Sequence, residues 1–330
     1  MLNPLAHLNE KTLDEKSLDQ KATRDGFGIG LVEAGKRDQN VVALSADLKE
    51  STRVEEFAKL FPDRFFEMGV AEQNLATVAS GLANYGKIPF ITSYATFSPG
   101  RNWEQIRTTI ALNDVPVKIV GCHAGLTVGP DGATHQAIED IATMRVISNM
   151  TVIVPCDASE ARKATLAIAK TGKPTYLRLG RSNVPTFTTD ATPFEIGKAV
   201  TVFESETSDV GIIACGSLVY PAILAAQELG NEGINVTVVD LHTIKPIDRD
   251  ALIALAKSTG AIVTAEEHQL MGGMGSAVAE VLAEEHPVPI EFVAIRDVFG
   301  QSGTPAELMA YYKLDKDSIK VAVQDVLKRK

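Results

Sequence analysis

Phe66-Glu-Met-Gly-Val-Ala-Glu-Gln-Asn74 is the stretch on which the reading of this chain turns. It leaves a short aromatic run, Phe65-Phe66, passes through a Met-Gly-Val turn and opens a long apolar helix, Leu75 to Tyr85. Glu72 falls at the first turn of that helix. A carboxylate held there can keep one strong hydrogen bond away from water. The plainer reading is a carboxylate that favours the positive end of the helix dipole.

The same alternation of short β-branched runs and helical patterns extends along the whole chain. Strands are expected at Val41–Ser45, Ile88–Ser93, Val117–Gly121, Val152–Val154 and Thr175–Leu179, and helices at Gly26–Arg37, Val70–Tyr85, Asn102–Leu112, Gln136–Ser148 and Ala158–Ala169. Near-continuous apolar strands separated by helices imply a mostly parallel sheet covered on both faces. After a Thr- and Pro-rich stretch without period, residues 183–193, the pattern resumes. Strands follow at Val210–Cys215, Asn235–Asp240, Ala261–Glu266 and Ile290–Ile295, and helices at Tyr220–Leu229, Asp248–Ser258, Ser276–Glu285, Pro305–Tyr311 and Lys316–Lys328. The expected fold is α/β with two doubly wound domains: an N-terminal extension (1–20), a first domain (21–185), a linker (186–195) and a smaller second domain (196–330).

Composition sets outer bounds. The 330 residues suffice for two domains, and 45% hydrophobic with 22% charged residues is ordinary for a globular protein. A net charge of −10 argues against nucleic acid or an anionic membrane surface as the main partner. Three well-separated cysteines, Cys122, Cys156 and Cys215, suggest neither a disulfide framework nor a metal cluster. No apolar run reaches the ~20 residues of a membrane span. The polar N-terminus lacks the apolar core of a signal peptide, so cytoplasm is the expected location.

Gly121-Cys-His-Ala-Gly-Leu-Thr-Val-Gly-Pro-Asp-Gly-Ala-Thr-His135 is the richest chemical stretch, with four glycines, two of the chain's six histidines and an aspartate. It leaves an apolar strand and enters a helix. Ligands of open α/β sheets bind at such carboxyl ends, and glycines let backbone approach them closely. A zinc site lacks a third ligand near His123 and His135. A second loop, Tyr94-Ala-Thr-Phe97-Ser-Pro-Gly-Arg101-Asn-Trp103, follows the strand Ile88–Ser93 and brings aromatic rings suited to stacking on a flat heterocycle. The glycine run Leu270–Ser276 lacks the spacing of a dinucleotide loop and reads as a tight turn and helix start, with His268 structural.

These stretches together resemble the transketolase family over about residues 22–330. The resemblance implies a thiamine-diphosphate enzyme that transfers a two-carbon ketol unit between sugar phosphates. Glu72 matches the glutamate that protonates the cofactor's aminopyrimidine ring, and Phe97 the aromatic that packs on it. Trp103 would fill the place of a further family aromatic, where this chain has Gly100. Asp47 matches a residue close to the cofactor, or caps the following turn. Arg24, Ser51, His123 and Arg181 match a cage for the substrate phosphate, for which guanidinium forks are well suited. Asp131 matches an aspartate that reads the donor's hydroxyl configuration, and His135 a histidine that shuttles protons at the sugar hydroxyls.

One family motif is missing. Magnesium, which holds the diphosphate, takes its ligands from a Gly-Asp-Gly motif and a later asparagine. The nearest string here is Pro130-Asp-Gly132, inside the histidine loop. The resemblance therefore implies the pyrimidine-binding and C-terminal domains alone: the C-terminal subunit of a split transketolase. A partner subunit would bring the diphosphate-binding domain and the Mg2+ ligands, in an α2β2 assembly. Alternatives are a 1-deoxyxylulose 5-phosphate synthase-like chain, a 2-oxo acid dehydrogenase beta-type subunit and a non-catalytic scaffold subunit.

Overall fold

Strands rich in Val, Ile and Leu that are buried on both faces need helices on both sides, and the chain supplies them in alternation. The computed structural model describes residues 1–330. Its strands are β1 (Gln20–Lys21), β2 (Val41–Ser45), β3 (Phe65–Glu67), β4 (Ile88–Tyr94), β5 (Lys118–Cys122), β6 (Thr151–Ile153), β7 (Thr175–Arg178) and β8 (Val184–Pro185), then β9 (Val200–Phe203), β10 (Val210–Ala214), β11 (Val236–Asp240), β12 (Thr243–Lys245), β13 (Ile262–Gln269) and β14 (Ile290–Ile295). The helices are α1 (Thr23–Arg37), α2 (Glu55–Leu60), α3 (Glu72–Asn84), α4 (Trp103–Gln105), α5 (Asp140–Arg145) and α6 (Ala158–Ile168), then α7 (Val219–Asn231), α8 (Arg249–Thr259), α9 (Met274–Glu285), α10 (Pro305–Tyr311) and α11 (Lys316–Leu327).

Two sheets carry the molecule. The first has seven strands in the order β12-β6-β7-β5-β4-β2-β3, all parallel except β12. The second has five, β14-β13-β10-β11-β9, with only β9 antiparallel. One apolar core runs unbroken between them, from Leu75 and Ile110 on the first sheet's side to Ile213 and Val278 on the second's. None of the helices is long and apolar enough to cross a membrane.

Several elements differ from the sequence reading. The helix expected at Gln136–Ser148 is confined to Asp140–Arg145. Ala137 and Ile138 are instead held extended, their carbonyls accepting from Gly125 N and Gln269 N. The helix expected at Asn102–Leu112 starts as α4 and continues in wider π-type turns over Ile106–Ala111. The helix expected from Val70 starts at Glu72, because Gly69 has a left-handed φ of +68°. The Thr- and Pro-rich stretch is tied down: β8 pairs with β1, and Phe187 N and Thr188 N both donate to Asp157. Short strand β12, not foreseen, leaves the second half of the chain to pair with β6 in the first sheet.

Helix α1 is placed by one close contact. It packs on α6 so tightly that a Cβ on Gly26 would lie 1.9 Å from the Ala158 carbonyl oxygen. Only glycine permits that approach, and it fixes the α1 N-terminus, with Arg24, at the carboxyl end of β5.

Candidate functional site

Strands β2, β4 and β5 end side by side, and the segments leaving their carboxyl ends bring most of the expected residues into one row. At one end lies Glu72, only 2% exposed, as the first residue of α3. Its Oε2 accepts from Arg101 Nη1 at 3.2 Å, and its main-chain carbonyl accepts from Asn102 Nδ2 at 3.0 Å. Arg101 also lies 4.8 Å from the Phe97 ring centre, so its guanidinium spans the carboxylate and the aromatic face.

The row continues through rings. Phe97 meets His135 edge-on at 5.5 Å, and Tyr94 stacks on His123 at 3.8 Å, with Tyr94 and Phe97 near-parallel at 6.0 Å. His123 is buried in left-handed backbone, φ +56°, at the exit of β5. Its Nε2 lies 3.1 Å from Arg24 Nη1, which also donates to the Ser51 carbonyl at 2.8 Å. A guanidinium only donates, so Nε2 is the acceptor and the ring proton sits on Nδ1. That Nδ1 is buried and has no partner.

Burial, then the charges of Arg24, Arg181 and Arg53, push the His123 pKa down to about 3. The ring is thus neutral, and the site's positive charge belongs to its arginines. Burial, then neighbouring Arg53, lowers the pKa of Arg24 too, which nonetheless stays charged. Arg181 stands 4.0 Å from Asp131 and donates to the Val128 carbonyl, tying the exit of β7 to the loop that carries Asp131.

Other expected residues sit differently. Ser51 presents its carbonyl, not its hydroxyl, to Arg24. Asp47 has left-handed backbone, φ +60°, and its N–H donates to Glu67 at 2.8 Å. Trp103 directs its indole N–H to the Thr143 carbonyl at 2.8 Å and packs on the main core, away from the Phe97 ring row. Tyr94 and Arg101 had no role in the sequence reading, although both lie in the Tyr94–Trp103 loop. Tyr94 ends the apolar strand β4, and Arg101 stands in the loop that follows it.

The glycine run after β13 is filled from within the protein. Met274 N and Gly275 N donate to the Glu266 carboxylate at 2.6 and 2.8 Å, leaving that helix start no phosphate role. His268 is equally internal, with Nδ1 at 2.7 Å from the Gln269 carbonyl. A buried trio, Cys156, Glu160 and Asp240, brings its ligand atoms within 4.8 Å of one another.

Comparison with known proteins gives a consistent result. The family model for the transketolase pyrimidine-binding domain matches residues 19–186, and that for the transketolase C-terminal domain matches residues 197–319. A Methanocaldococcus jannaschii protein provisionally named a transketolase C-terminal section is 44% identical over 312 residues, covering 94% of this chain and 97% of the relative. The 6-deoxy-6-sulfo-D-fructose transketolase subunit SqwH of Clostridium sp. strain MSTE9 is 39% identical, covering 96% and 98%. A solved split-gene transketolase, described as an inactive beta4 tetramer, superposes with a TM-score of 0.87 at 48% identity, covering 93% of this chain and 98% of that one. Against single-chain transketolases of mammals, this chain spans about half of their length.

Proposed function

Because the chain belongs to the transketolase family, we propose that it is the C-terminal subunit of a two-chain, thiamine-diphosphate-dependent transketolase acting on sugar phosphates. The observation that carries the reading is the single row of side chains. A buried carboxylate and an aromatic face stand at one end, and an arginine–histidine cage at the other. A flat heteroaromatic ring fits the first end and a phosphate the second.

The donor set agrees with thiamine diphosphate only in part. Glu72 and Phe97 would hold its aminopyrimidine, whereas no cluster of oxygen ligands near them suits magnesium. Mg2+ and its ligands fall to a partner subunit carrying the diphosphate-binding domain, in an α2β2 assembly. When bound, the cofactor supplies the chemistry that cleaves and re-forms the ketol carbon–carbon bond.

The chain's own residues supply orientation and proton control. Glu72 holds a proton at the pyrimidine ring nitrogen, shielded by Asn102 and the start of α3. His135, edge-on to Phe97, moves protons at the sugar hydroxyls, and Asp131 selects their configuration. Arg24 and Arg181 hold the distal phosphate, with neutral His123 beside them fixing Arg24 through Nε2. Ser51 orients Arg24 through its carbonyl. Binding energy gathered at the phosphate fixes the reacting end of the sugar. Asp47 stands at the edge of the cofactor pocket, and Trp103 braces the Phe97 loop.

The test is substitution of Glu72 in the assembled enzyme. Glu72→Ala and Glu72→Gln should each lower ketol transfer by at least about a hundredfold while the complex still assembles. Near-normal turnover in either variant contradicts the assignment.

A further inference from the structure

The loop bearing His123, Asp131 and His135 holds only short 3-10 turns over Leu126–Asp131, broken by a kink at Gly129, so its shape depends on what surrounds it. On one side the segment leaving β7 supports it: Ser182 Oγ donates to the Thr127 carbonyl at 2.6 Å. On the other side stands the second half of the chain. Glu267, on β13, is buried and uses both carboxylate oxygens. Oε1 accepts the Thr127 N–H at 2.6 Å, and Oε2 accepts the Ser217 hydroxyl at 2.8 Å. The loop backbone lies so close that a Cβ on Gly125, whose φ is +85°, would sit 2.3 Å from the Glu267 carboxylate. At the loop's far end Gln136 Nε2 donates to the carbonyls of Leu126 at 3.1 Å and Gln301 at 3.0 Å, a second bond across the same boundary.

A buried carboxyl is costly unless its partners are good. Burial raises the pKa of Glu267, and Arg178, which donates to the Glu267 main-chain carbonyl at 2.9 Å, opposes that rise. Of the two hydrogen bonds its carboxyl accepts, the one from the Thr127 N–H is the shorter, at 2.6 Å against 2.8 Å. This one is placed on Thr127, midway between His123 and Asp131. It therefore holds the part of the loop that spaces the phosphate cage from the hydroxyl-reading pair.

We propose that Glu267 is a positioning residue: from the C-terminal domain, acting through Thr127, it sets the distance between the phosphate cage and Asp131 with His135, and so favours phosphorylated donors. The inference rests on the proposed transketolase function.

The experiment uses the assembled enzyme and two ketol donors, a phosphorylated ketose and a short unphosphorylated one. Glu267→Ala should raise KM for the phosphorylated donor roughly tenfold or more, change kcat less, and affect the short donor less. Glu267→Gln keeps an acceptor for the Thr127 N–H and should restore most of the loss. A purely structural role would lower the active fraction for both donors equally with KM unchanged, and that result overturns the proposal.

Hydrogen exchange on the chain alone gives a readout that needs no catalysis. In Glu267→Ala the Thr127 amide should lose protection by about tenfold or more, while amides of β13 keep theirs. Unchanged loop protection overturns the proposal whatever the complex does. A complex silent with both donors while the loop loosens counts against the function instead. Should the alanine variant fail to fold, Ser217→Ala loosens the same carboxylate and should raise the phosphorylated-donor KM about threefold. No change there also overturns it.

Discussion

Burial among guanidinium groups leaves His123 neutral where a free imidazole would titrate near 6.5. Its depressed pKa has a consequence for stability. The unfolded chain takes up the proton as pH falls through about 6.5, whereas the folded protein does so only near 3. Stability is therefore lost as pH falls across that window. His123→Asn, which tolerates left-handed backbone, should flatten the acid-side fall in Tm between pH 6.5 and 4. An unchanged slope in thermal scans would contradict the burial account. Arg24 carries the complementary prediction. One of its nitrogens serves both Ser51 and His123, which leaves the other free for phosphate, a division that the single nitrogen of lysine cannot make. Arg24→Lys should raise KM for a phosphorylated donor about tenfold, with a smaller effect on kcat, in steady-state kinetics. Glu72, His123 and Arg24 were legible in the sequence because each sits in a contiguous, recognisable string. Tyr94 and Arg101 were not, since an aromatic or an arginine gains its meaning only from the ring or carboxylate it meets in space. Ser51 was expected by its hydroxyl and is used by its carbonyl, a distinction that residue type cannot convey.

At the scale of elements, the approach of α1 to α6 sets the position of Arg24. Gly26→Ala would drive a methyl into the Ala158 carbonyl, and the overlap should destabilise the chain by about 3 kcal/mol. Urea unfolding measures this directly; a loss near zero would mean that α1 can shift without cost. The buried strands were read well because continuous apolar runs leave few alternatives. The helix expected at Gln136–Ser148 was overextended for a physical reason. Asp140 accepts from Tyr176 and Arg178 at 2.6 and 2.8 Å, and Ala137 and Ile138 give their carbonyls to other segments. Helical spacing cannot reveal that such partners will win. Three-residue β12 is too short to show alternation, and its partner lies in the other half of the chain.

At the scale of the whole molecule, the two halves meet through apolar packing and a buried acidic pair. Burial, then the neighbouring charge of Glu160, raises the Asp240 pKa well above the ordinary carboxylate range. The folded protein keeps that proton at pH values where the unfolded chain has released it. Stability therefore declines as pH rises from the ordinary aspartate range through the raised value. Asp240→Asn should lessen the fall in Tm as pH rises above the ordinary aspartate range, and parallel curves for variant and wild type would contradict this. The doubly wound architecture was legible from alternation alone. The joining of the halves was not, because it depends on β12 and on a core shared between distant segments. The assembly is best tested by ketol transfer from xylulose 5-phosphate to ribose 5-phosphate, with thiamine diphosphate and Mg2+. The chain is assayed alone and with a subunit carrying the diphosphate-binding domain. Transfer only in the mixture is the predicted result; transfer by the chain alone, or none in the mixture with any phosphorylated ketose, would contradict it.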